Sequence, residues 1–572
     1  MPERLRAGGR IALLVLAVML PFEMREPLAK IGPLELSSVE LFLYLTLAIW
    51  GASLVADGLV HRRSVGSLGR TLRDLPAAHR AVLAFALVML VSAASASAPR
   101  GPGLKFALRS AGGMLLFAAA ADLLRAPGAA ARTAAALVVG GLVAALLALA
   151  EVRAPSLLGF LRLFHPQTFA ALGQARASGP LQYPNIAAMY LEAVTPVAVG
   201  LGLSGAPRAA WAVVTFVLLA AVQATGSRAG LVGALASGLL LGALGLRVSS
   251  GRRPAGAVLA AAAAVLVLAS ASGMAGRFRF WHDGDWYRSV IVQSGGAAGR
   301  LPPVLAPDST ATESIEVQNL GALAWRRDTP TPVALSYHWF DAATGRLVTF
   351  DGVRTPLPTD VSMGGRARVS AWVHAPARPG RYLLWWDLVH EQTSWFSERG
   401  NPGLREEVVV RGEASPASGS PSRDASPPPF VQETLPRRTL WSAAWRMFRR
   451  RPLLGIGPDN FRHRYGAFLG LAPREVDERL HANSLYFETL ADLGAAGLVA
   501  FAFVLVALAA AARRAAAPAA RRFLALGLAC ALGSYLLHGA LDYFLEFTPT
   551  YALFWLLGGA IVAMDRSREV SP

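Results

Sequence analysis

Apolar residues along this chain gather into runs near or above the length that spans a bilayer. They lie at 11–22, 34–55, 81–96, 106–124, 133–150, 186–203, 209–222, 231–246, 255–270, 484–511, 523–537 and 548–564, and predict about twelve transmembrane helices. The fold class expected is a polytopic α-helical membrane protein. The first run follows Arg4, Arg6 and Arg10 as a signal peptide's apolar region would, but no small-residue cleavage site comes after it. It is read as a retained helix. Several runs are rich in Ala and Gly, which lets helices approach closely.

Between the ninth and tenth runs the pattern changes. From 301 to 411, stretches such as Ser314–Gln318, Val333–Trp339 and Ala367–Val373 alternate apolar and polar residues. Turn signals recur at Asp341–Gly345, Asp351-Gly352, Gly364-Gly365 and Pro379-Gly380. The alternation predicts an inserted β-sandwich of about 110 residues. A Ser/Pro-rich stretch follows and reads as a linker. The expected organisation is a membrane bundle over 1–275, the β-sandwich insert over 276–411, a linker over 412–436, and 437–572 with an amphipathic helix, a loop and the last three spans. That amphipathic helix, near 439–450, places Trp441, Trp445 and Phe448 on one stripe suited to a membrane surface.

Composition agrees: 54% of residues are hydrophobic and 16% charged, with mean hydropathy +0.41. The net charge of +18 suggests nucleic acid in a soluble protein. Here most arginines lie in short loops, and no RNA-binding motif competes, so no nucleic-acid partner is expected. Loop arginines alternate: Arg62, Arg63, Arg70, Arg73 and Arg80, then Arg125 and Arg132, then Arg208, Arg247, Arg252 and Arg253 lie on one side with Arg4, Arg6 and Arg10. Arg513, Arg514, Arg521, Arg522, Arg566 and Arg568 join them. The positive-inside rule makes this side cytoplasmic, with both termini inside. The lone Cys530, within an apolar run, can form no intrachain disulfide and no cysteine metal site.

Three chemistry-bearing residues fall on the opposite side. Arg228 opens the eighth span in Gly226-Ser227-Arg228-Ala229-Gly230, Arg438 precedes the amphipathic helix, and His481 stands at the mouth of the tenth span. An arginine at a helix entrance must pair or reach water, so snorkelling is one reading of Arg228. Gripping an anion is the other, since two outward-facing guanidiniums can hold a pyrophosphate by bidentate bonds. A neutral histidine can take a proton from an attacking hydroxyl; interfacial packing is the plainer alternative.

The segments Thr225–Gly230, Arg438–Trp441, Pro452–Phe461 and His481–Asn483, in that order, resemble the O-antigen ligase and O-antigen polymerase family, as do Ser178–Asn185 and Leu490–Leu498. The resemblance implies a bacterial inner-membrane glycosyltransferase of the GT-C type, acting on the periplasmic face. The donor would be a glycan on undecaprenyl pyrophosphate and the acceptor a hydroxyl of a lipid, glycan or protein. Arg228 and Arg438 would bind the pyrophosphate and His481 would activate the acceptor, with no metal and no cofactor. Arg437 is the neighbouring substitute for Arg438, Arg176 a third cation, and Asn483 either orients His481 or caps the helix. The sequence departs from simpler members in its insert, whose Pro379–Leu384, Asp387–Glu391 and Trp395-Phe396 resemble Ig-like domains. There Tyr382, Trp385, Trp386 and Trp395 either stack on sugars or pack the core. His338, His390 and Glu391 lack metal-ligand spacing.

Two rivals stand beside this reading. A metal-dependent GT-C enzyme using a polyprenyl-monophosphate sugar would employ Glu23 and Glu26, or Asp283 and Asp285. A transporter or flippase would carry ionisable groups near the midplane and a repeat between halves, and no repeat is visible.

Overall fold

The computed structural model describes residues 2–31, 34–60, 75–96, 100–154, 158–165, 169–171, 174–204, 208–246, 252–271, 283–294, 299–329, 331–391, 393–412, 437–471, 476, 478, 480–519 and 521–567. Nearly all of the expected linker, and the loop arginines Arg62, Arg63, Arg70, Arg73, Arg247 and Arg568, lie outside the described residues. The chain divides into two compact units. One comprises Met1–Phe169, Arg176–Ser272 and Leu435–Pro572, the other Ala170–Ala175 and Gly273–Thr434.

The first unit is helical: α1 (Pro2–Met19), α2 (Ser38–Val60), α3 (Ala77–Ser95), α4 (Arg100–Leu123), α5 (Ala129–Arg153), α6 (Pro184–Leu203), α7 (Arg208–Ala224), α8 (Arg228–Leu246), α9 (Arg252–Ala271), α10 (Arg437–Arg450), α11 (Phe461–Leu469), α12 (Leu485–Ala515), α13 (Arg522–Gly539) and α14 (Thr548–Arg566). Each of the twelve apolar runs overlaps one of these helices. Seven of them, α2 to α6, α12 and α13, are long and apolar enough to cross a membrane. α7 and α8 hold shorter apolar stretches, and α14 is buried along most of its length. The molecule is an integral membrane protein.

Small residues set the closest helix contact that bears on the site. At Gly200 a Cβ would stand 2.6 Å from the Phe523 carbonyl oxygen, and at Gly527 one would stand 2.6 Å from the Pro196 carbonyl oxygen. α6 and α13 therefore touch backbone to backbone, as small-residue seams allow in lipid. This registers the start of α6 against the end of α13.

Strands β1 (Ala29–Ile31) and β2 (Leu34–Leu36) form one short hairpin, and β3 (Phe169–Ala171) pairs β4 (Gln174–Arg176). The second unit holds β5 (Ser289–Gln293), β6 (Val304–Leu305), β7 (Thr310–Asn319), β8 (Val333–Asp341), β9 (Leu347–Thr349), β10 (Thr355–Pro356), β11 (Arg366–His374), β12 (Gly380–His390), β13 (Ser394–Trp395) and β14 (Leu404–Val410). One sheet runs β10-β8-β12-β14-β6, with β9 on β8 and β13 on β12; the other runs β11-β7-β5. β11 buries every second residue, Ala367, Val369, Ala371 and Val373, while their neighbours face out. These pack with Ile315, Leu335, Tyr337 and Trp386 in one core drawn from both sheets, the layering expected of a sandwich. Tyr382, Trp386 and Trp395 are buried, so packing is their role. Trp385 is half-buried, with the Arg405 guanidinium 4.1 Å above its ring. His338 meets Asp387 at 3.6 Å and His390 meets the Tyr287 hydroxyl at 3.1 Å, so each histidine has its own structural partner.

Candidate active site

His481 sits just ahead of α12, and the local chain explains its orientation. Ser484 is extended and caps α12, its Oγ accepting the Phe487 N–H at 3.5 Å. Asn483 does not cap; it holds a left-handed backbone with φ of 49°, a conformation asparagine tolerates better than most residues. The chain thereby turns His481 back over the first turns of α12. There Glu488 Oε1 lies 2.7 Å from His481 Nδ1, and Glu488 Oε2 accepts the Ala482 N–H at 2.6 Å. Glu488 positions the ring, the role expected above for Asn483.

The other face of the imidazole meets a residue from the α13–α14 connection. His481 Nε2 lies 2.6 Å from Glu546 Oε2. The Tyr543 ring lies beside the imidazole, centroids 5.0 Å apart. Glu546 is held from two sides: Arg109 on α4 donates to its backbone carbonyl, and Arg462 on α11 lies 3.9 Å from its Oε1. Arg109 also donates to Glu40 Oε1 at 3.1 Å, and Arg462 grips Asp459 with two bonds of 2.8 and 2.6 Å.

His481 is 6% exposed, and two opposing influences act on its charge. Burial, the largest single influence, disfavours the imidazolium. The carboxylates of Glu488 and Glu546 together outweigh it and hold the ring's pKa well above the ordinary histidine value. For Glu546, burial alone raises the pKa, but the contact and charge of His481, then Arg462 and Arg109, bring it below the ordinary glutamate value. The two carboxylates thus favour the imidazolium form of the ring they bracket.

A second wing joins the same end of the bundle. Arg176 donates from Nε to the Thr225 carbonyl at 2.7 Å and from Nη2 to Asn185 Oδ1 at 2.7 Å. Asn185, in the first turn of α6, donates to Asp542 Oδ2 at 3.0 Å. The Asp542 carbonyl accepts the Leu485 N–H at 3.0 Å. Asp542 is buried, which raises its pKa, while the positive charge of Arg437 is the chief opposing influence and His481 a lesser one. Arg437 and His481 therefore act on Asp542 directly, and Arg176 is linked to it through Asn185. Arg228, the first residue of α8, follows the Thr225 turn that Arg176 anchors. Arg438 lies beside Arg437 on α10 with its side chain exposed.

The Gly/Pro-rich loop after α10 is docked on a break in α12. Gly494 takes φ 65° and ψ −163°, and the helix kinks there. The break frees backbone groups that the loop completes. Ile456 and Gly457 donate N–H to the Ala491 and Asp492 carbonyls at 3.0 and 2.9 Å, and Ala495 and Ala496 donate back to Pro452 and Leu453 at 2.8 and 3.0 Å. The Asp492 carboxylate accepts the N–H groups of Asp459 at 2.7 Å and Phe461 at 2.9 Å. This fixes the Asp459–Arg462 pair that faces Glu546. α10 covers the assembly with Leu440, Ala443, Ala444 and Met447. Its aromatic stripe is split: Trp441 stacks on Phe487 with centroids 5.1 Å apart, and Trp445 is exposed.

Residues 429–502, which take in α10, the docked loop, His481 and the kink of α12, match the family model described as O-antigen ligase. The chain carries an O-antigen ligase domain. A comparison with curated proteins gave no match. The match supports an enzyme of O-antigen ligase type within a membrane, and its segment holds His481, Glu488, Arg462 and Asp492 of the candidate site. Glu546, Arg109, Asp542, Arg176 and Arg228 come from outside it.

Sequence reasoning had passed over four of these residues. Glu488 lies two helical turns past His481, on the face that turns back toward it. Arg109 is a charge inside an apolar run, a signal that a functional position stands there. Glu546 is one of two acids in the short connection between the last two helices. Arg462 has no such mark. Of the rival's acids, Glu26 is exposed beside Arg25, 3.7 Å away. Glu23 is buried, and its pKa is raised by that burial against the charge of Arg109.

Proposed function

We propose that this O-antigen ligase-type protein transfers a glycan from undecaprenyl pyrophosphate to an acceptor hydroxyl, on the periplasmic face of the bacterial inner membrane and without a metal. The Ig-like insert would serve acceptor selection. The observation that carries the proposal is the Glu488–His481 pair, with the ring's Nε2 against Glu546 at rest. As in other dyads of carboxylate and imidazole, a carboxylate on Nδ1 leaves Nε2 as the atom that exchanges a proton with substrate. The acceptor hydroxyl would take the place of Glu546. As Glu546 withdraws, its carboxylate takes the Nε2 proton with it, and the neutral ring then accepts the hydroxyl proton as the oxygen attacks the anomeric carbon. The bond from that carbon to the pyrophosphate breaks, and its electron pair leaves with the phosphate. Arg228, Arg438 and Arg437 would neutralise the charge that develops there, with Arg176 holding the turn before Arg228.

The 2.6 Å contact between Glu546 and His481 favours one second reading, in which Glu546 is itself the base. The variant Glu546→Gln separates the two. If His481 is the base, the substitution removes one of its two anionic partners and lowers its pKa. The acid limb of the rate profile, where activity falls as pH drops through the histidine pKa, then moves to lower pH while the plateau rate stays within about tenfold. Loss of the plateau by about 10²-fold or more at every pH would make Glu546 the base. The assay is release of polyprenyl pyrophosphate by purified protein given a lipid-linked oligosaccharide and acceptor, with a chelator present. No release under any acceptor, but release with a divalent metal and a monophosphate donor, would overturn the proposal.

Arg176→Gln tests the second wing. It removes two charge-assisted bonds, each worth about 1.5–3 kcal/mol, from the turn before Arg228. The expected result is a rise in donor KM of about tenfold with the pH profile unchanged, read by steady-state kinetics.

A further inference from the structure

The bundle end opposite His481 holds a partly open cleft of about 630 Å³. It lies among the start of α1, the end of α4, the start of α5, the end of α6, the start of α13 and the end of α14. For α6, α13 and α14 these are the ends remote from Asn185, Asp542 and Glu546. Four arginines line it, Arg6, Arg10, Arg125 and Arg521, against one aspartate, Asp122. Arg6 stands 3.9 Å from Asp122 and 3.8 Å from Asp57, while its Nε is buried and donates to nothing. Arg521 donates to Ser567 Oγ at 2.8 Å, which fixes its guanidinium at the wall. The rest of the lining includes Leu201, Leu524 and Met564.

We infer that this cleft binds the headgroup of an anionic phospholipid. A phosphate diester would sit among the guanidiniums, whose planar forks match its oxygens. The leucine and methionine walls suit the glycerol and the first acyl carbons, which free phosphate does not possess. Basic pockets between transmembrane helices near a membrane surface take lipid phosphates by this combination. The lining side chains carry more positive than negative charge, which favours an anionic occupant. Bound there, the lipid would tie α1 to α13 and α14, helices whose far ends frame the catalytic residues.

The test uses the full-length protein in detergent, titrated with phosphatidylglycerol or phosphatidylcholine and read by native mass spectrometry. The expected result is retention of phosphatidylglycerol at concentrations where phosphatidylcholine is lost, with millimolar inorganic phosphate failing to displace it. In Arg10→Gln/Arg521→Gln the affinity for phosphatidylglycerol weakens about 30-fold, as removal of two surface cations implies. Arg449→Gln/Arg450→Gln, with the same charge change at the other end of the bundle, keeps the wild-type affinity. Equal retention of both lipids by the wild type would overturn the inference without any variant. So would equal weakening in the two double variants, or displacement by inorganic phosphate.

Discussion

His481→Ala is expected to lower glycan transfer by about 10²–10⁴-fold, the range spanned by loss of a positioned proton acceptor. The effect would fall on kcat, because in the proposed mechanism the ring meets the reacting hydroxyl and not the carrier pyrophosphate. Donor affinity, measured by retention of lipid-linked oligosaccharide, should stay near wild type. Glu488→Gln supplies the control for position. Its amide oxygen can still accept Nδ1–H, at the expense of the Ala482 N–H bond, but it carries no charge, so the ring keeps its contact while its pKa falls. That variant should keep measurable activity and shift the acid limb of the rate profile downward, in the same direction as Glu546→Gln. The sign follows from the structure: both carboxylates raise the folded-state pKa of His481. Their contribution to stability is therefore full below the ordinary histidine pKa and is lost as pH rises through the elevated one. A variant His481→Ala that transfers at the wild-type rate would leave the O-antigen ligase domain without its proposed base.

Gly494→Ala should be the most damaging single methyl group in the helical unit. The φ of 65° and ψ of −163° at Gly494 lie in a region open essentially to glycine alone. A Cβ there would also stand 2.5 Å from the Leu453 carbonyl oxygen. Relief requires straightening α12 or pushing the loop away, and either breaks the exchange of backbone bonds that holds 452–457. The cost is expected at about 3–5 kcal/mol, seen as a lower apparent Tm in detergent and as new proteolytic cleavage in the loop. Activity should fall with it, since the loop carries Asp459 to Arg462. A variant with wild-type Tm and an uncut loop would show that the kink is dispensable.

Much of this molecule was legible in one dimension. Hydropathy is a property of neighbours along the chain, so each apolar run from 11–22 to 548–564 marks a helix, and the alternation at Ser314–Gln318 or Ala367–Val373 marks a strand. Burial by lipid or by a sheet partner acts on such runs locally. The same pattern does not say which apolar helices face lipid and which are covered by other helices, as α6 and α14 are along nearly their whole length. Trp385 and Trp386 are adjacent in sequence and indistinguishable by type, yet one is half-buried and the other lies in the core, because strand pleat alternates their faces. For the site, the ordered segments around Arg228, Arg438 and His481 pointed to family and chemistry.

The sequence by itself determined that this is a membrane protein with an inserted β unit and that His481 stands at a helix mouth. Only the tertiary structure decided what state His481 is in. Its charge depends on Glu488, which lies near because Asn483 and Ser484 fold the chain back, and on Glu546, which arrives from a connection two helices away. Arg109, from near the other end of the chain, holds Glu546 there. Electrostatic interactions fall with distance in space and not with separation in sequence. Helix packing, through contacts such as Gly200 on Gly527, therefore determines whether the histidine rests as a free base or as a clamped cation.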